Sequence, residues 1–481
     1  FKQKTAYEIG VRLVGSEMCI RDRDIPVNSQ CKITAGFPAG NKSSEQVCPL
    51  VPTMNKEPKR KFYYGWVIVA VTFLSSMISA GLTGYGLAFF IIPMSHALNV
   101  SRATFSSITV FRLISLPIIP FMGFLVDKKH GARLLMTIGS IAAGFTLIAT
   151  STVNSIWQFY LIYGILFGLA STIMGGHVVE PALVAKWFIR HRGRAMAIGT
   201  MGISAGGVII APWAGWLVGT LGWRTAWVAL GVTILVFLTL PAMIFVRRSP
   251  EDSGLLPDGE HASRDNLNSS IRNPEDLGTR SIEYPWTLRE AIRTKSLWLL
   301  LSVNMFGLIG LMPVIMHQVA YIQDKGYGLI DATSLATTVA FFAMIAKLPW
   351  GYWTEKYSLR LLISACGITS GLSILILVVS HGMPGLYLYA IAHGITMGGF
   401  PTIMNVAWAS FFGRQNSGAI RGAITPPVTF MGFLSPAGAG WMCDQTGNYD
   451  LAFICFAASW VLAGIIMYFT NPPKAPTYSL H

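Results

Sequence analysis

Very few ionisable side chains of this sequence stand inside its long apolar stretches, where a charge is costly unless it is paired or wet. Lys347 is one of them, in Phe341-Phe-Ala-Met-Ile-Ala-Lys347-Leu-Pro-Trp-Gly351. An ammonium group in that setting either holds an anion or snorkels along its own stem to a helix end. Arg112 lies deeper, about 16 Å from Gly123 along a helix, so it faces a cavity or a partner acid. His177 and Glu180 are three residues apart and share a helix face. Glu180 is open to three roles: partner of Arg112, proton acceptor, or gate contact with Lys186 or Arg194. His317, beside Gln318, suits the outer part of a cavity and can titrate near neutral pH. Tyr85 and Asn304 read as polar lining, and His393 as a hydrogen-bonded packing residue. These groups can hold an anion or relay a proton. They do not form a covalent catalytic set.

Composition says what surrounds them. Hydrophobic residues make up 52% of the 481 and charged residues 12%, about half the roughly 25% of a soluble domain. The 48 glycines suit helices that pack closely in lipid. The net charge of +14 reads as a membrane topology signal rather than nucleic-acid binding, because the cations fall between apolar runs on one side. Apart from Cys19, the cysteines Cys31, Cys48, Cys366, Cys443 and Cys455 form no close ligand pairs, and no P-loop appears. No metal, cofactor, disulfide framework or nucleotide-driven engine is expected, and the chain does not read as an enzyme.

The elements that position these residues are all helices. Apolar runs lie near 63–93, 103–126, 134–152, 156–185, 194–218 and 223–246, then near 296–322, 329–353, 361–380, 385–412, 422–443 and 449–470. Each supplies the ~20 residues that one bilayer crossing needs. Gly81, Gly84 and Gly86 can bend the long first run. The expectation is an all-α integral membrane protein of about twelve spans in two six-helix bundles. The N-terminal half covers 62–246, a polar linker 247–293, the C-terminal half 294–472 and a short tail 473–481. Lys56, Lys59, Arg60, Lys61, Lys128, Lys129, Arg133, Lys186, Arg190, Arg192 and Arg194 mark one side, and Lys356, Arg360, Arg414, Arg421 and Lys474 continue it. Arg102, Arg224 and Lys325 are the few cations opposite, which places both termini and the linker in the cytoplasm and the protein in the plasma (inner) membrane.

The halves repeat one another at a specific place. Gly123-Phe-Leu-Val-Asp127-Lys128, ending at Gly131-Ala-Arg133, closes the second run; Gly351-Tyr-Trp-Thr-Glu355-Lys356, ending at Arg360, closes the eighth. The glycines allow close helix contact, and the acids can accept from a neighbouring helix N-terminus or pair with loop cations in one gate state. Gly123, Asp127, Arg133, Gly351, Glu355 and Lys356 are therefore the candidate gate.

This repeat resembles the signature G-x-x-x-D-R-x-G-R of the major facilitator superfamily over residues 63–470. The first copy carries one extra residue between acid and glycine; the second has Glu for Asp and Ser358 for glycine. Tyr64-Gly-Trp66, Lys186-Trp-Phe-Ile-Arg-His-Arg192-Gly-Arg194-Ala195, Phe411-Phe-Gly-Arg414, Arg421-Gly422 and Arg247-Arg-Ser-Pro-Glu-Asp-Ser-Gly-Leu255 resemble its bacterial monocarboxylate and oxalate/formate transporter-like branch. The resemblance implies secondary transport of a small carboxylate by alternating access, with a coupling proton or counter-anion, in a monomer. It puts Lys347 where monocarboxylate transporters carry a substrate-pairing arginine, whereas the family's aspartate falls on Ala343 and its first-span lysine on Gly84. That departure puts simple proton symport in doubt. The stretch from Gly202 to Gly215 resembles an antiporter motif without a glycine before Pro212, and small-residue packing explains it equally well. The alternative function is an efflux carrier for apolar or aromatic compounds, and a transport-deficient receptor of the same fold comes third.

The N-terminus stands apart. Residues 2–9 and 13–23 resemble translations of a sequencing-library adaptor, with Gly10, Val11 and Arg12 in the barcode position. Residues 1–23 are thus expected to be non-native, and 24–61 a polar cytoplasmic tail with Met54 as the natural start.

Overall fold

The computed structural model describes residues 63–82, 86–100, 108–259 and 284–474, so the adaptor-like segment and the remaining N-terminal tail lie outside it. The described residues contain helices and no strand. Seven helical stretches are long and apolar enough to cross a membrane, and Gly65–Ala80 is a shorter apolar helix.

In the first half, the opening run is a helix, α1 (Gly65–Ala80), followed after Gly86 by α2 (Ala88–Ala97). Gly86 donates its N–H to the Gly81 carbonyl at 2.6 Å, so two of the three expected glycines sit at the break and Gly84 lies outside the described residues. The second run is a short 3-10 turn, Arg112–Ser115, leading into α3 (Ile118–Val126). Then come α4 (Gly131–Thr150), a helical stretch that ends in α5 (Gly176–Trp187), and α6 (Arg192–Ala205). The 54-residue helical run from Arg192 to Phe245 is divided by Gly222, whose φ of 77° glycine adopts without strain, inside α7 (Ala211–Ile234).

The second half contains six long helices: α8 (Lys295–Asp324), α9 (Leu329–Trp353), α10 (Leu359–Val379), α11 (Met383–Phe412), α12 (Ser417–Thr446) and α13 (Asp450–Phe469). The Thr294 hydroxyl accepts from the Leu297 N–H at 3.3 Å and starts α8. Gly447, at φ 75°, ends α12. Prolines 426, 427 and 436 interrupt α12, and Pro401 interrupts α11. Neither helix is among the seven apolar stretches.

Each half buries its own apolar core, with Tyr163, Phe167 and Trp227 in the first and Phe400, Phe453 and Trp460 in the second. A further cluster beneath α3 and α5 includes Val406 and Ala409 of α11, so the halves share core at that end. Phe121, Phe145, Trp157, Trp216, Trp441 and Phe469 are exposed on the outside, as a lipid-facing surface requires.

Candidate functional site

The halves meet where the repeated motif lies. At Gly123 of α3, an added Cβ would overlap the Gly418 carbonyl oxygen of α12; at Gly351 of α9, it would crowd the Gly193 carbonyl and the Ala197 side chain of α6. Two backbone pairs can touch because neither carries a side chain. The acids then seal the contacts. Asp127 accepts from the Ala419 N–H at 2.8 Å and the Gly418 N–H at 3.2 Å, capping α12, and pairs with Lys186 at 2.6 Å. Glu355 accepts from the Arg194 N–H at 3.0 Å, capping α6, and pairs with the Arg194 Nε at 2.9 Å. Each acid closes one half onto a helix N-terminus of the other, where the helix dipole favours negative charge.

Above this seal lies a cavity of about 450 Å³ walled by α1, α5 and α6 from one half and α8, α9, α11 and α12 from the other. Lys347 is 4% exposed and lines it. Its ammonium group donates across the halves to the Thr200 carbonyl at 3.0 Å and the Ser204 hydroxyl at 2.8 Å. Among the described residues it has no ion-pair partner. The Thr200 and Thr402 hydroxyls are 2.9 Å apart, a second polar link between the halves.

Comparison with known proteins agrees with this architecture. A sequence model described as Major Facilitator Superfamily matches residues 69–335 and 297–480. The chain belongs to the major facilitator superfamily. Monocarboxylate transporter 12 of Rattus norvegicus is 23% identical over 424 residues, covering 85% of this facilitator and 86% of that relative. Monocarboxylate transporter 2 of Mesocricetus auratus is 24% identical over 425 residues, covering 85% and 84%. Among solved structures, a variant of the E. coli fucose:proton symporter FucP superposes with a TM-score of 0.64 at 13% identity, covering 85% of this chain and 100% of that one. The human organic anion transporter MFSD10 gives 0.61 at 13%, covering 84% and 99%. At such identities the structures show the fold alone. Membership makes this facilitator a multi-pass secondary transporter and not an enzyme.

The facilitator's cavity gathers some of the sequence candidates and leaves others aside. Lys347, Asn304 and Glu180 line it. Glu180 accepts a hydrogen bond from the Ser76 hydroxyl, while Lys186 and Arg194, its expected gate contacts, are held by Asp127 and Glu355. His317 is not among the lining residues: its Nε2 lies 3.1 Å from the Pro436 carbonyl and its ring packs on Tyr449. Asn304, Leu308, Leu311 and Ile315 on one face of α8 line the cavity, and His317 lies off that face against α12 and Tyr449. Tyr85 and the side chains of Arg112 and His177 lie outside the described residues. His393 is buried, 3.0 Å from the Ser373 hydroxyl and stacked on Tyr389, as a packing residue should be.

Two expected gate residues stay out of the seal. Arg133 is exposed at the start of α4, and Lys356 is exposed with its ammonium over the Tyr352 ring at 4.6 Å. The reason is geometric: the helix N-termini and the nearer cations Lys186 and Arg194 already occupy Asp127 and Glu355.

The sequence reading also missed a lining cation. Arg421, read as a loop charge, is 3% exposed in the cavity wall. Its guanidinium donates to the Asn405 side-chain oxygen and carbonyl, both at 2.8 Å. The expected span began at 422, whereas α12 begins at Ser417, so a five-residue boundary difference moved a buried arginine into a loop.

Proposed function

We propose that this facilitator carries a small organic anion, a monocarboxylate or related carboxylate, by alternating access. The observation that carries the reading is Lys347: a buried cation in the central cavity, bonded among the described residues to neutral oxygens of the opposite half. A substrate carboxylate offers that ammonium a charged acceptor in place of the Thr200 carbonyl and the Ser204 hydroxyl. Lysine supplies a point charge rather than a two-pronged grip, so selectivity among carboxylates falls to the rest of the lining. Arg421, held by Asn405, adds positive potential at the cavity floor. Arg112 remains a second candidate contact. Glu180, together with His177, is the candidate for a coupling proton or an internal ion pair. The relatives' names, monocarboxylate transporters 2 and 12, support the same substrate class.

In this reading the sealed end is cytoplasmic, as are both termini, because the cation-rich loops lie there. The protein works as a monomer in the plasma (inner) membrane. The structure then corresponds to a state with its cytoplasmic gate shut. Uptake of labelled monocarboxylates and oxalate into proteoliposomes tests it, with and without a proton gradient or an internal exchangeable anion. Saturable uptake that Lys347→Ala abolishes is expected. Carboxylate flux untouched by that substitution, or saturable flux of neutral aromatic compounds alone, overturns it in favour of an efflux carrier.

A further inference from the structure

We infer that the substrate is an amphipathic monocarboxylate, with a carboxylate head for Lys347 and an apolar body larger than two or three carbons. The inference rests on the carboxylate reading above and concerns what lies beyond the head group.

The apolar lining is concentrated in the second half. Leu308 and Met312 of α8, Met404 and Trp408 of α11 and Phe433 of α12 stand beside that half's own cations, Lys347 and Arg421, while the first half contributes hydroxyls such as Ser76 and Ser204 together with Val184, Met196 and Ile203. Packing alone does not explain that apolar wall of the second half. Met404 and Trp408 are buried at 3% exposure, but Phe433 is 39% exposed, and Leu308 and Met312 are only partly covered. Apolar surface turned to a wet cavity is unfavourable in proportion to its area, and a solute that covers it recovers that loss.

Room for such a solute exists at a defined point. Gly432 lies in the lining of α12, and a methyl group there would meet only Leu308 and Met312, both at an ordinary 3.7 Å. A cavity of about 450 Å³ falls inside the roughly 300–1,000 Å³ range of small-molecule sites. A two-carbon acid would leave most of it to water against the apolar wall.

The apolar wall sets the number of carboxylates. A second carboxylate at the far end of the solute would meet that wall, which disfavours a charge.

Calorimetric titration of the purified full chain in nanodiscs, corrected against empty nanodiscs, tests the inference. The probes are acetate, butyrate, hexanoate, phenylacetate, adipate and hexan-1-ol. The Kd is expected to fall by about fourfold per methylene from acetate to hexanoate. Phenylacetate should bind more tightly than acetate, and adipate more weakly than hexanoate. Gly432→Leu should remove the gain for hexanoate and phenylacetate over acetate, as filling the apolar space requires. Saturable acetate binding with a flat or reversed chain-length series overturns the amphipathic substrate and leaves the small-anion reading standing. Hexan-1-ol binding as tightly as hexanoate, with neither weakened by Lys347→Ala, overturns the carboxylate reading itself, and so does the absence of binding by every acid. The chain-length series is read on the unsubstituted protein, so it decides the question even where the variant misfolds.

Discussion

The two copies of the gate motif share a plan, with acids about equally enclosed at 14% and 12% exposure, but differ in how deeply each acid's partner is buried. Asp127 holds α12 through two backbone N–H groups, and its partner Lys186 is almost fully enclosed, with a side chain 5% exposed. Lys186 also donates to the Val126 carbonyl, and Arg248 donates to the carbonyl of Asp127 itself. Glu355 holds α6 through one N–H group, and its partner Arg194 is 44% exposed. A charge pair away from water is expensive to break, because the survivor stays buried without a partner. A half-exposed pair loses little, since water takes over. The difference teaches that duplication kept the geometry while burial assigned the strength. In the proposed gate, the Asp127 side is the lock and the Glu355 side a lighter catch.

Breaking the copy with the buried partner gives the largest expected effect. Asp127→Ala strands Lys186 and uncaps α12, a cost of about 3 kcal/mol and hence roughly a hundredfold shift toward an open gate. Labelling of a cysteine placed beside Gly418 reads that shift, and a change under about threefold would mean that the lock lies elsewhere. Gly123→Val comes next, since its side chain collides with backbone rather than with a flexible neighbour. It should slow transport at least tenfold while the protein still binds substrate from the open side, read as separate changes in Vmax and Kd. Glu355→Gln should do less: the amide oxygen can still cap α6, and the lost pair is worth about 0.2–1 kcal/mol. A gate shift of roughly two- to fivefold is expected, and an effect as large as that of Asp127→Ala would erase the proposed asymmetry. The smallest change belongs to Arg133→Ala and Lys356→Ala, which should leave transport within about twofold because neither side chain enters the seal.

A third region braces the same face. Arg248 pairs with Asp252 in the first turn of the linker, and Arg414 of the second half pairs with Glu251 at 2.7 Å. The Asp258 carboxylate accepts from the backbone N–H groups of Ile189, Arg190 and His191 at 2.7 to 3.1 Å. The described start of this segment thus ties to the second half on the same face as the Asp127 and Glu355 contacts.

Much of this was legible along the chain. The glycine, acid and base of the repeat stand in local order, and a helix converts that order into a contact face without further information. Lys347 announced itself because a lysine among apolar neighbours has few inexpensive fates in a membrane. Arg421 did not, because a helix start is set by capping. The cap here is Asp127, which lies 291 residues from Gly418 and so outside any local pattern. The same limit misplaced His317, since its helix position indicates depth but not which neighbour it faces.

By itself, then, the sequence determined that this protein is helical, membrane-spanning and duplicated, because hydrophobic runs and local periodicity answer directly to the solvent around them. Tertiary structure alone decided that Lys186 and Arg194, rather than Arg133 and Lys356, pair with Asp127 and Glu355. It also brought Arg421 and Lys347 into one cavity with apolar side chains such as Met404 and Trp408. The physical reason is that pairing and burial depend on distances between helices remote in sequence, and only their packing sets those distances.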